Sequence, residues 1–181
     1  EKGNYQKALP FLETHAEGSS RMTEEEFYQL AFTQYQSGKY QSAAQNFEQL
    51  NSVNSPLGQV ALYYMADCRL KLKDKPAART AFAAASRMPY DTQLQENAVI
   101  NYAKLSYELK FDNEAITALQ EIKSTSKHFH DAQELLSEIF VNTRNYEQAI
   151  AALEGMPNKT LQLKEAFQKV LYLRGIQQMR D

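Results

Sequence analysis

His128-Phe129-His130-Asp131 is the one cluster of candidate metal ligands in the sequence. A His-Xaa-His pair beside an Asp suits zinc, which takes three or four N, S or O ligands from a protein. His15 is the only other histidine, and no third ligand stands at a matching spacing. The segment therefore reads as a polar turn opening a helix, with Asp131 near the positive end of the helix dipole, and no metal site is expected. Cys68 is the only cysteine, so an internal disulfide is excluded, which leaves the compartment open. Its place in the helical segment Ala61–Leu72 predicts a quiet, semi-buried thiol rather than a nucleophile. Asn158-Lys159-Thr160 fits a glycosylation sequon, a three-residue pattern common by chance. The sequence holds no Gly-rich phosphate loop, no His-Glu-Xaa-Xaa-His and no nucleophile elbow. Paired carboxylates such as Glu134 and Glu138 fall on solvated helix faces. No catalytic residue and no cofactor is expected, and the chain is not expected to be an enzyme.

If chemistry is absent, the elements themselves must carry the function. The 181 residues are 43% hydrophobic and 23% charged, the values of a globular chain. Only 6 Gly and 5 Pro interrupt them, which suits long helices and not a sandwich or barrel with many turns. The net charge is −2 and the signs are interspersed. No basic block follows a phosphate backbone, so nucleic acid is not an expected partner. No apolar run approaches the ~20 residues of a membrane span, so no direct membrane insertion is expected. Thr23-Glu24-Glu25-Glu26 reads as a helix start, with Thr23 as cap and three carboxylates at the positive end of the dipole.

An internal repeat organises the chain. Gly38-Lys39-Tyr40-Gln41-Ser42-Ala43-Ala44, Lys75-Pro76-Ala77-Ala78-Arg79, Phe111-Asp112-Asn113-Glu114-Ala115-Ile116 and Asn145-Tyr146-Glu147-Gln148-Ala149-Ile150 align on Ala43, Ala78, Ala115 and Ala149, separated by 35, 37 and 34 residues. Each alanine is followed four positions later by a large apolar residue, Phe47, Phe82, Leu119 or Leu153, on the same helical face. The alanine admits a neighbouring helix closely and the large residue fills the space beyond it. A second small residue recurs about twelve positions upstream, at Ala31, Ala66, Ala103 and Ser137. Pro56 and Pro89 stand at repeat junctions, where proline stops a helix at little cost. A period near 34 built of two helices is the spacing of tetratricopeptide repeats.

The Gly-Xaa-Tyr-Xaa-Xaa-Ala motif, the upstream small residue and the junction proline together resemble the tetratricopeptide repeat (TPR) superfamily over nearly the whole chain. The fold this implies is all-α, a right-handed superhelical solenoid of antiparallel helix pairs. Repeats are expected at about 23–56, 57–91, 92–127 and 128–158, with a partial copy at about 1–20 starting at Gly3-Asn4-Tyr5 and another at 160–181, so that the sequence reads as a piece of a longer array. The sequence departs from the family pattern in lacking tryptophan: Phe27, Leu62, Val99 and Gln133 stand where it often opens the first helix. The glycine of the inter-helix turn survives only at Gly38 and Gly3. Tyr102-Ala103-Lys104-Leu105-Ser106-Tyr107-Glu108 and Asn142-Thr143-Arg144-Asn145-Tyr146 are further similar in texture to TPR proteins of the bacterial cell envelope, a resemblance that favours the periplasm or cell envelope while the residues themselves leave the compartment open.

Such arrays line their concave face with first helices. Mapped here, the resemblance implies a partner-binding face of Tyr28, Phe32 and Tyr35; of Tyr63, Tyr64, Asp67 and Lys71; of Asn97, Asn101, Lys104 and Glu108; and of Asp131, Glu134 and Glu138. The rows run from aromatic through amide and lysine to acidic, a surface for an extended or helical protein segment, apolar at one end and basic at the other. Tyrosines at helical spacing also serve packing, so these rings carry a competing role in the core. The Lys, Asn and Arg set by which some TPR arrays clamp chaperone tails is not assembled, Lys104 being the main exception. The expected function is a non-enzymatic scaffold for a protein or peptide. The alternatives are a spacer or self-assembly array joined through its truncated ends, and the regulatory arm of a larger protein.

Overall fold

The computed structural model describes residues 2–52, 54–143, 145–156 and 159–180. Among them the chain is all-α, with ten helices and no strand, and consecutive helices pack on one another as in a helical-repeat solenoid. They are α1 Lys2–Gly18, α2 Glu24–Gln36, α3 Tyr40–Glu48, α4 Pro56–Lys71, α5 Lys75–Ser86, α6 Thr92–Glu108, α7 Asp112–Gln120, α8 Phe129–Asn142, α9 Tyr146–Gly155 and α10 Leu161–Arg180. Asn158 of the sequon and Arg144 lie outside the described residues.

Local chemistry explains the helix ends. Thr23 accepts from the Glu26 backbone N–H while the Glu26 carboxylate accepts from the Thr23 N–H, a reciprocal capping box that opens α2. Ser55 caps α4 ahead of Pro56, and Asp74 caps α5, whose first turn holds Pro76. Three helices end the same way. Gly38, Lys73 and Lys110 have φ of 80°, 64° and 69°, and the next residue's N–H donates to the carbonyl five back: Lys39 to Gln34, Asp74 to Arg69, Phe111 to Ser106. Two lysines thus occupy the left-handed position that glycine fills in the first of these turns.

The contacts divide the chain into two compact units, Glu1–Leu105 and Ser106–Asp181. In the first, α1 packs on α2, α2 on α3, α3 on α4 and α4 on α5, and α2 also touches α4. One core cluster gathers Ala31, Ala43, Ala44, Phe47, Leu50, Ala61 and Cys68. Another gathers Leu62, Ala66, Ala78, Ala81, Phe82 and Ala85 with Ala98 and Leu105 of α6. In the second unit α7 packs on α8, and α10 on both α8 and α9. Ala115, Leu119, Leu136, Ile139, Phe140, Ala149 and Leu153 are among its buried residues, joined by Leu163, Ala166 and Val170 of α10. The repeat alanines and the large residue four positions after each are therefore core throughout.

The shared turn carries a measurable strain, because a left-handed conformation costs a residue with a Cβ about 1–2 kcal/mol. Lys73→Gly and Lys110→Gly should each stabilise the chain by about 1 kcal/mol, raising Tm by roughly 2–4 °C in a thermal circular dichroism scan. Gly38→Ala, where no atom lies within 4 Å of the added Cβ, should lower it by a similar amount.

Candidate functional site

The first unit brings three first-helix rows side by side. On α2, Tyr28, Phe32 and Tyr35 follow one another at i, i+4 and i+7, one helical face. On α4 stand Tyr63, Tyr64, Asp67 and Lys71, and on α6 Asn97, Asn101 and Lys104. The rings interlock. Phe32 meets Tyr64 edge-on at 5.2 Å and Tyr35 meets Tyr64 at 5.1 Å, joining α2 to α4. Tyr28 stacks on Phe32 and tilts against Phe47, and Tyr5 of α1 closes one end against Phe32. Tyr63 reaches Phe82 of α5 at 5.3 Å. Each such pair adds about 0.5–1.5 kcal/mol beyond its buried area. Tyr28, Phe32, Tyr35, Tyr63 and Tyr64 are half-buried, so each packs between repeats while keeping one edge open, whereas Phe47 and Phe82 are fully buried.

The polar atoms of the face bond along its length. The Tyr35 hydroxyl donates to Oδ2 of Asp67 at 2.6 Å, in the short range of hydroxyl–carboxylate bonds. Nζ of Lys71 lies 3.6 Å from the same oxygen and 5.7 Å from the Tyr40 ring centroid. Nδ2 of Asn101 donates to the Asn97 carbonyl at 2.9 Å and lies 3.5 Å from the Tyr63 hydroxyl, linking α6 to α4. Asn97 is half-buried; Lys104 is exposed. Burial first, and the Asp67 contact second, push the Tyr35 hydroxyl well above the usual tyrosine range. Burial likewise raises Tyr28, Tyr63 and Tyr64.

The remaining residues of the sequence mapping lie in the second unit. Glu108, Asp131, Glu134 and Glu138 are exposed there, the last three forming an acidic stripe on α8. His128 is the N-cap of α8, and Asp131 sits in its first turn, 4.0 Å from the imidazole. Among the described residues no group of three or more His, Cys, Asp or Glu side chains is gathered closely enough to hold a metal ion. Cys68 is fully buried rather than semi-buried, because Ala31, Phe47 and Ala61 pack in the same cluster, and burial pushes its thiol up to about 12, far from a reactive thiolate.

Two residues outside the mapped rows help shape the face. Tyr40, already visible in the repeat motif, packs edge-on to Tyr35 at 5.8 Å and lies under the Lys71 ammonium. Gln59 is buried on α4; its amide donates to the carbonyls of Ala85, Met88 and Asp91, and its oxygen accepts from the Asp91 N–H. It fixes the α5–α6 connection, and its only signal in the sequence is a lone amide in an apolar stretch.

The family model described as Tetratricopeptide repeat protein 21 ARM repeat matches residues 1–153. The chain belongs to this family. Its members are TPR-related helical repeats, consistent with a protein-interaction scaffold. The match lends no support to the resemblance to bacterial cell-envelope proteins. No curated protein matches the chain. Among the described residues no helix is long and apolar enough to cross a membrane.

The raised tyrosines give the repeat a pH signature. Four of the 11 tyrosines hold their protons more tightly in the fold than at the ordinary value of 10.0. Their contribution to stability is complete below that value and is lost as the pH rises through the raised values. Titration followed at 295 nm should show a late tyrosine class ionising above the ordinary value, together with loss of helical circular dichroism. Tyr35→Phe should shrink the late class while leaving the ring contacts in place.

Proposed function

We propose that the chain is a non-enzymatic scaffold that holds an extended or helical segment of a partner protein across the first helices α2, α4 and α6. The observation that carries this reading is the continuity of the face: three successive helices align half-buried rings, the amides of Asn97 and Asn101, and the cations of Lys71 and Lys104. Rings fixed by neighbours offer contact area at little entropic cost, and amides pair with a peptide backbone in both directions. The acidic stripe on α8 supports, by itself, recognition of a basic segment.

A second reading, self-assembly with the face idle, is favoured by the exposure of Leu161, Tyr172 and Met179 on α10, at 72%, 69% and 80%. The two separate by site-specific cross-linking. A photo-reactive side chain at position 71, 97 or 104 should trap one and the same partner from the source cell, whereas one at Gln45 or Thr80, exposed on second helices, should not. Lys71→Glu with Lys104→Glu should weaken capture about tenfold, or about 1.4 kcal/mol, at unchanged helicity. Equal trapping from both sets of positions, or trapping of the chain by itself, moves the self-assembly reading to the front.

A further inference from the structure

Leu62, Val99 and Gln133 occupy one repeat position, separated by the same 37 and 34 residues that separate Ala66, Ala103 and Ser137. All three are core by burial, at 6%, 7% and 5% exposed. Two are aliphatic and the third carries an amide. A buried amide weakens a fold unless its hydrogen bonds are met. Gln59, equally hidden, meets them on the α5–α6 connection. Gln133 meets none of them within the protein: its backbone carbonyl accepts from Ser137, its side-chain amide has no hydrogen-bond partner among the described residues, and the amide atoms are not among those sealed from solvent without a partner.

That amide lines a cleft of about 520 Å³ in the second unit, between the end of α7 and helices α8 and α9. Ile122, Phe129, Ala152 and Met156 give it apolar walls, and Gly155 stands on its exposed rim. Among the described residues no ionisable side chain lines it, which disfavours phosphates, nucleotides and other charged ligands. In the first unit the groove at the corresponding position has Leu62 in place of the amide and is bordered by Arg69 and Glu48, paired at 3.5 Å.

We propose that this cleft is a peptide-recognition site: it takes one large apolar side chain of a partner protein, while the Gln133 amide pairs with the backbone N–H and C=O of that residue. A side-chain amide carries both a donor and an acceptor, the complement of a single peptide unit. The volume is that of ligand pockets and holds a leucine or phenylalanine side chain with space for its backbone. Met156 adapts the wall to either. The face on α2, α4 and α6 plays no part, so this site stands or fails independently of that reading.

The test uses the 181-residue chain and four probes followed by NMR: the N-acetyl methylamides of leucine, phenylalanine and glycine, and toluene. The leucine and phenylalanine amides should shift the Gln133 side-chain NH₂ and Met156 methyl signals, at least fivefold more tightly than the glycine amide or toluene. Gln133→Leu, which restores the residue found at position 62, should raise Tm, weaken the two amides at least fivefold and leave toluene unchanged or tighter. Gly155→Leu, whose added Cβ meets no atom within 4 Å, should block all four. The proposal is overturned if no probe binds, if toluene matches the amides in the parent chain, or if Gln133→Leu leaves the amides unchanged. Should Gln133→Leu fail to fold, the parent's discrimination and the Gly155→Leu block still decide it.

Discussion

Close approach of helices at alanine seams is the constraint on which the rest of the structure depends. Ala31, Ala43, Ala66, Ala78, Ala103 and Ala115 are fully hidden. A larger side chain at any of them would push two helices apart and open voids beside Phe47, Phe82 or Leu119, which close packing does not tolerate. The seam also explains why the turns repeat: helices held this near must reverse in very few residues, and the left-handed cap does so even where lysine must adopt it.

Once the seams set helix spacing, the first-helix aromatics have little freedom. Neighbouring rows stand near enough for Phe32, Tyr35 and Tyr64 to interlock, so these rings stiffen the first unit as well as furnish its surface. The structure shows the packing role of these rings. The rings pack between the helices with their hydroxyls partly buried, and Asp67, Lys71 and Asn101 tie into them by hydrogen bonds and an ion pair. A face held rigid before a partner arrives loses little entropy on binding.

The two buried glutamines show how one chemistry serves two ends. Gln59 closes a loop by giving its amide to backbone groups. Gln133 stands at an aliphatic repeat position with its amide turned to a cleft. Their environments, not their residue type, separate them, as burial and the Asp67 contact separate Tyr35 from an ordinary tyrosine.

The sequence by itself determined the all-α fold, the small-residue seams, the Thr23 cap and the helical character of the His128–Asp131 segment. Each is local: periodicity, side-chain volume and capping act within a few residues, so their spacing suffices. It pointed to the rows on α2, α4 and α6 only through a family pattern, and could not divide their rings between core and surface. The structure decided what depends on residues distant in the chain: the Tyr35–Asp67 bond, the depth of Cys68, the left-handed lysines and the place of Gln133 on a cleft. A side chain's partners are set by which helices stack beside it, and that stacking is a property of the folded array, not of any segment read alone.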